Sequence, residues 1–165
     1  MAKKIKINNE VVVNSLSFKE IENRCDIQQI VLEISADTSL SVPGWNNEAI
    51  KIPFSYQKYS VGNNLVFNSS NHSVDIGDNI NYVEISAFLQ TVEGEGGMYV
   101  EVRKNDSVLF EEILLLNGKK WDGVTLPGII FPVVKGDKIT LTIRGTQTTF
   151  NIRRRQTKLI VKKVG

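Results

Sequence analysis

Apolar residues recur at every second position through most of this chain. In "YVEISAFLQ", residues 82–90, alternation sends Val83, Ile85, Ala87 and Leu89 to one face, and Tyr82, Glu84, Ser86, Phe88 and Gln90 to the other. In "KITLTIR", residues 138–144, Ile139, Leu141 and Ile143 point inward and two threonines supply a β-branched outer face. The same pattern predicts strands at residues 49–55, 65–68, 98–103, 108–116, 129–134 and 158–163. One short stretch, residues 17–24, reads as a helix, with Ser17 and Glu20 placed as a capping box; so brief a helix needs packing to persist.

Turn residues punctuate these strands at short intervals: Gly62-Asn63-Asn64, Gly77-Asp78-Asn79, Gly94-Glu95-Gly96-Gly97, Lys104-Asn105-Asp106, Asn117-Gly118 and Lys135-Gly136-Asp137. Short strands with such corners predict an antiparallel sandwich or barrel, since βαβ units would need helical patterns between the strands. The opening segments break the rhythm, with candidate strands at residues 3–7, 11–13 and 27–34 spaced irregularly around the helical stretch. Residues 1–37 are therefore expected to form an amino-terminal arm or small base, and residues 38–165 the main domain. A chain of 165 residues suits one such domain better than two.

Composition narrows the chemistry. Lys and Arg total 20 against 18 for Asp and Glu, and a net charge of +2 creates no general field to hold nucleic acid or an anionic membrane. The one cysteine, Cys25, excludes an internal disulfide and a multi-cysteine zinc site, and fits a small buried apolar group. The one histidine, His72, sits in the polar stretch "NSSNHSVD" and reads as a surface residue, which removes most metal and Ser-His-Asp constellations. No run approaches the roughly 20 apolar residues of a membrane span, and the amino terminus lacks the apolar core of a signal peptide. The expectation is a chain made in a cytoplasm, with no nucleic-acid partner, membrane insertion, metal or cofactor.

Gly136 lies between two strands rather than between a strand and a helix, so "KGDK" is a corner and not a phosphate loop. Glycines 94–97 read as a strand connection. Asp75, Asp78 and Asn79 do not reproduce a calcium-loop spacing. Arg153-Arg154-Arg155 is the densest positive charge and Arg154 a candidate contact for an anionic ligand, but in an extended segment Arg154 opposes its neighbours and the three form no flat patch. Trp45, in "VPGWNN", and Trp121, in "GKKWDG", offer either sugar-stacking faces or plugs for the ends of a sandwich. No carboxylate pair points to hydrolysis, and the expectation is a non-enzyme.

With strands and corners in order, "VGNNLVFNSS", "YVEISAFLQ", "VRKNDSVL", "FPVVKGDKITLTI" and "TKLIVKKVG" resemble the tumour necrosis factor and complement globular-head superfamily over about residues 39–165. The resemblance implies an all-β antiparallel jelly-roll sandwich that assembles as a homotrimer. The closing strand departs from animal members in lacking an aromatic-Gly pair. With the amino-terminal segment and the lysine- and asparagine-rich composition, the chain looks instead like bacteriophage proteins that carry this fold on the virion surface as head fibres, capsid decorations or host-recognition modules. Tyr82 and Phe88, on an outer strand face, are the expected trimer contacts. The expected partners are other virion proteins through residues 1–37 and a host cell-surface glycan. The alternative is a carbohydrate-binding module, or a receptor-binding domain of another bacterial surface system, using Trp45 or Trp121.

Overall fold

The computed structural model describes residues 4–7, 10–14, 27–42, 48–92, 95–117, 122–145 and 148–164, and all its regular elements are strands. β1 (Lys4–Ile7) and β2 (Glu10–Asn14) form an antiparallel pair of their own. The others are β3 (Gln29–Glu33), β4 (Thr38–Val42), β5 (Ile50–Lys51), β6 (Tyr56–Val61), β7 (Leu65–Asn68) and β8 (Ser73–Ile76). Then come the longer β9 (Tyr82–Val92), β10 (Glu95–Lys104), β11 (Ser107–Asn117) and β12 (Asp122–Pro132), followed by β13 (Lys138–Gly145), β14 (Thr148–Ile152) and β15 (Lys158–Lys163).

They build two antiparallel sheets. One has six strands in the order β11-β10-β13-β8-β7, with β5 also on β13. The other has seven in the order β4-β14-β9-β15-β3-β6, with β12 on the free side of β9. The molecule is thus an antiparallel sandwich, one of the two architectures that the strand rhythm predicts, and agrees with the jelly roll that the resemblance implies.

Alternation decides what lies between the sheets. Val83, Ile85, Ala87 and Leu89 of β9 are buried, as are Leu159 and Val161 of β15. From the six-stranded sheet come Met98, Val100 and Val102 of β10 and Ile139, Leu141 and Ile143 of β13. Inward rows from two sheets interdigitate to make one core. Residues 52–55 leave the strand conformation expected of them, yet Ile52 and Phe54 are completely buried. The period survives there because burial rather than pairing holds the segment.

Two expectations are corrected. The boundary between arm and domain does not fall at residues 37 and 38. β3 is an interior strand, paired with β15 on one side and β6 on the other, and Ile30, Leu32 and Ile34 are in the core. The carboxy-terminal strand would otherwise be an apolar edge, and β3 supplies its missing hydrogen-bond partners. The helical stretch at residues 17–24, and Cys25, lie outside the described residues. Glycines 94–97 are not simply a connection: β10 begins at Glu95, and Gly96 and Gly97 pair with Leu116 and Leu115 of β11.

The Lys135-Gly136-Asp137 stretch is a corner. Gly136 has φ +90°, a conformation that side chains disfavour. The Asp137 carboxylate accepts the Val134 N–H at 2.9 Å and closes the turn that launches β13. At the far end of that strand Gly145 has the opposite reason to lack a side chain. An added Cβ would lie 2.5 Å from the Gly97 carbonyl oxygen, inside contact distance.

Candidate functional site

The outward face of the seven-stranded sheet is the first candidate. Strand register sets Tyr59 of β6, Val31 of β3, Ile160 of β15 and Ser86 of β9 in one row across four strands. Phe88 lies beside that row, opposite Thr125 on one side and Lys158 on the other. Nearer the start of β9, Tyr82 faces Pro132 and Glu84 faces Ile130 of β12. Tyr59, Tyr82 and Ile130 are 50%, 51% and 56% exposed, whereas Phe88 is half-buried by its neighbours. The face therefore carries aromatic and aliphatic groups on the side away from the core, where water is their neighbour.

Charge within this face is compensated locally. The Glu33 carboxylate is buried and meets Lys58 Nζ at 2.9 Å and Lys158 Nζ at 3.4 Å. Glu84 and Lys162 approach to 3.9 Å. The buried Glu33 carboxylate is thereby paired, while Lys58 and Lys162 remain exposed.

Arg154 is elsewhere in the chain's chemistry. Residues 153–156 form a turn between β14 and β15 rather than an extended edge, closed by Thr157 N–H to the Arg153 carbonyl at 3.2 Å. The alternation expected of three extended arginines does not apply. Asp37 organises the turn: its carboxylate accepts Arg154 N–H at 2.8 Å and Arg153 Nη1 at 3.3 Å. The Arg154 side chain is exposed, and Arg155, with φ +61°, borders a shallow pocket with Glu33, Tyr56 and Lys58. Trp45 and Trp121 lie outside the described residues.

His72 is half-buried, with Nδ1 2.8 Å from the Phe54 carbonyl oxygen, so that nitrogen carries the proton and donates it. Among the described residues no three His, Cys, Asp or Glu side chains gather to hold a metal ion, and no helix is long and apolar enough to cross a membrane.

The six-stranded sheet carries a polar cluster that the sequence pattern did not reveal. Glu101 of β10 is completely buried on the outward side, between Thr142 of β13 and Glu111 of β11. Arg103 Nε donates to it at 2.7 Å, Arg144 Nε at 2.8 Å and the Thr142 hydroxyl at 3.1 Å. Arg144 also reaches Glu111 at 3.4 Å and stacks its guanidinium 4.7 Å from the centre of the Tyr99 ring. Burial pushes the Glu101 pKa upward, but the hydrogen bonds from Arg144 and Arg103, the Arg103 charge and the Thr142 hydroxyl outweigh it and hold the carboxyl below its ordinary range. Its bond to Glu101 raises Arg144 in turn, against the opposing effect of burial. Two carboxylates facing each other across a strand pair repel, and Arg144 neutralises that contact.

No family model matches the sequence, and no curated protein does. The fold has solved counterparts. Murine APRIL, in a crystal structure at pH 8.0, superposes with a TM-score of 0.64 at 15% identity over 84% of this chain and 100% of that one. Its pH 5.0 structure gives 0.62 at 14% identity, over 84% of this chain and 100% of that one. Eiger TNF from S. frugiperda gives 0.55 at 7% identity, over 84% of this chain and 92% of that one. The chain has a tumour necrosis factor-like jelly roll.

Proposed function

We propose that this chain is a non-enzymatic structural protein of a bacteriophage virion. It is displayed on the particle surface as a homotrimeric jelly roll that decorates the capsid, forms a head fibre or contacts the host. The observation that carries the reading is the outward apolar face of the seven-stranded sheet, with Tyr59, Val31, Ile160, Phe88, Ile130 and Tyr82 on a tumour necrosis factor-like sandwich. Apolar surface gains about 25 cal/mol per Å² on leaving water, and three copies around one axis can turn the same face inward together. The amino-terminal segment, ahead of β3, then serves as the attachment to other virion proteins. Three identical loop sets give repeated weak contacts the advantage of avidity on a repetitive surface.

Light scattering on the purified chain tests the assembly, with three times the chain mass expected; a monomer at micromolar concentration sinks it. Immunogold labelling of purified particles tests the location, and particles without label sink the virion reading while leaving the trimer intact.

A further inference from the structure

Where β3 finishes and β6 starts, the shallow pocket bordered by Arg155 opens with a volume of about 440 Å³. That lies within the roughly 300–1,000 Å³ of pockets that hold small organic ligands. Glu33 of β3, opposite Tyr56 of β6 and Lys158 of β15, belongs to the next outward row along from Tyr59, Val31 and Ile160. Lys58 and Arg155 extend the wall.

Glu33 is compensated more than once over. Its side chain is 3% exposed and meets Lys58 at 2.9 Å and Lys158 at 3.4 Å, whose side chains are 49% and 33% exposed. The exposed Arg155 makes no hydrogen bond or ion pair among the described residues. Three cations against one carboxylate leave an excess of two positive charges, and the carboxylate lies beneath the cations. Widening the count to the rest of the turn and to the start of β12 adds Arg153 and Arg154 against Asp37 and Asp122, and the excess stays at two. Farther along the sheet, Glu84 and Lys162 cancel.

Arg155 is also held in an unusual conformation. Its φ of +61° lies in the left-handed region, and the other non-glycine residues found there among those described are Asn, Asp or His, which adopt it more readily. The turn fixes it from both sides: Asp37 accepts the Arg154 N–H at 2.8 Å, and the Thr157 N–H reaches the Arg153 carbonyl at 3.2 Å. The guanidinium is therefore mounted on an anchored backbone, which lowers the ordering cost of gripping a ligand. Tyr56, 51% exposed, gives the pocket an aromatic surface against which a carbon skeleton can lie.

We infer that this pocket binds a phosphate monoester of a small sugar or polyol. The phosphoryl group carries close to two negative charges at neutral pH, which matches the excess, and it bridges the Arg155 guanidinium and the Lys58 ammonium while the carbon skeleton rests on Tyr56. A carboxylate brings a single charge and fewer acceptor oxygens. The inference stands on the pocket alone and needs neither the trimer nor the virion setting.

Calorimetric titration of the full chain at low salt, with glucose 6-phosphate, glucuronate, glucose and inorganic phosphate as probes, tests it. Glucose 6-phosphate is expected to bind in the millimolar range or tighter, glucuronate and inorganic phosphate several-fold more weakly, and glucose at least tenfold more weakly. Arg155→Gln should weaken glucose 6-phosphate about tenfold or more without changing the assembly mass. Arg155→Gly should weaken it as much while leaving the melting temperature equal or higher, because glycine suits the positive φ. Tyr56→Ala should weaken glucose 6-phosphate several-fold and leave inorganic phosphate unchanged, and Tyr56→Phe should restore the parent affinity. A lower melting temperature for Arg155→Gly would give the guanidinium a structural role and overturn the site. Absence of glucose 6-phosphate binding, unchanged binding in Arg155→Gln, or glucuronate or inorganic phosphate binding as tightly as the sugar phosphate would also overturn it.

Discussion

Asn105 and Asp137, 32 residues apart in sequence, join the two turns at one end of the six-stranded sheet: Asn105 Nδ2 donates to Asp137 Oδ1 at 2.5 Å. Two bonds to the next residue reinforce it: Asn105 N–H donates to the Lys138 carbonyl at 3.0 Å, and Lys138 N–H donates to Asn105 Oδ1 at 2.9 Å. Asp137 also serves its own turn and lies 3.8 Å from Lys104 Nζ. Asp137→Ala removes several acceptors at once from a buried position and should destabilise the fold by about 2–3 kcal/mol in urea unfolding. Asp137→Asn retains one acceptor oxygen and should cost less.

Glu101 sets a pH dependence. Its carboxyl pKa is lower in the fold than in the unfolded chain, so the stability it contributes is fully present above the ordinary glutamate range. That contribution is lost as pH falls through the depressed folded value. Glu101→Gln leaves Arg103 and Arg144 without their charge partner and should cost about 3 kcal/mol at neutral pH. The gap between variant and parent in denaturant midpoint should narrow on acidification below that range. A gap independent of pH would remove the carboxylate from the explanation.

The apolar face predicts an assembly defect without a folding defect. Ile160→Asp places a charge in the middle of the cross-strand row, where Val31 and Ser86 are its neighbours. Light scattering should show the proposed trimer reduced to monomer, with an unchanged β-sheet circular dichroism spectrum. Val66→Asp, at an exposed position of β7 in the other sheet, should leave the mass as it is.

β3 predicts where the chain can be shortened. Removal of residues 1–26 should preserve cooperative unfolding, since the core residues among those described begin at Ile30. Removal of residues 1–37 takes Ile30, Leu32 and Ile34 from the core, along with the Asp37 clasp on the arginine turn. Each buried aliphatic contributes about 1.5–3 kcal/mol, against a typical total stability of about 5–15 kcal/mol. The shorter product should give no cooperative transition in a thermal melt.

Much of the fold was legible because strand alternation is a local property. The inward set of β9 and β13, and the outward placement of Tyr82 and Phe88, follow from a period of two that needs no knowledge of partners. The corner at Gly136 was legible for the same reason, since a glycine followed by aspartate suits a tight turn wherever it occurs. The candidate sites were harder. In "YVEVRK" Glu101 reads as an ordinary outward strand residue, and nothing nearby announces that Arg144, 43 residues later, will cover it.

Residue order thus dictated that the chain would be strands, which side of each would be greasy, and where most of them would bend. It left open who pairs with whom. Pairing brought β3 into the body beside β15, gave Asp37 its hold on Arg153 and Arg154 from 116 and 117 residues away, and gathered Tyr56 and Lys58 with Arg155. The physical reason is range. A side chain's facing is settled by its immediate backbone, whereas burial of a carboxylate, a shared pocket or an outer apolar row depends on contacts that exist only after distant strands have found their register.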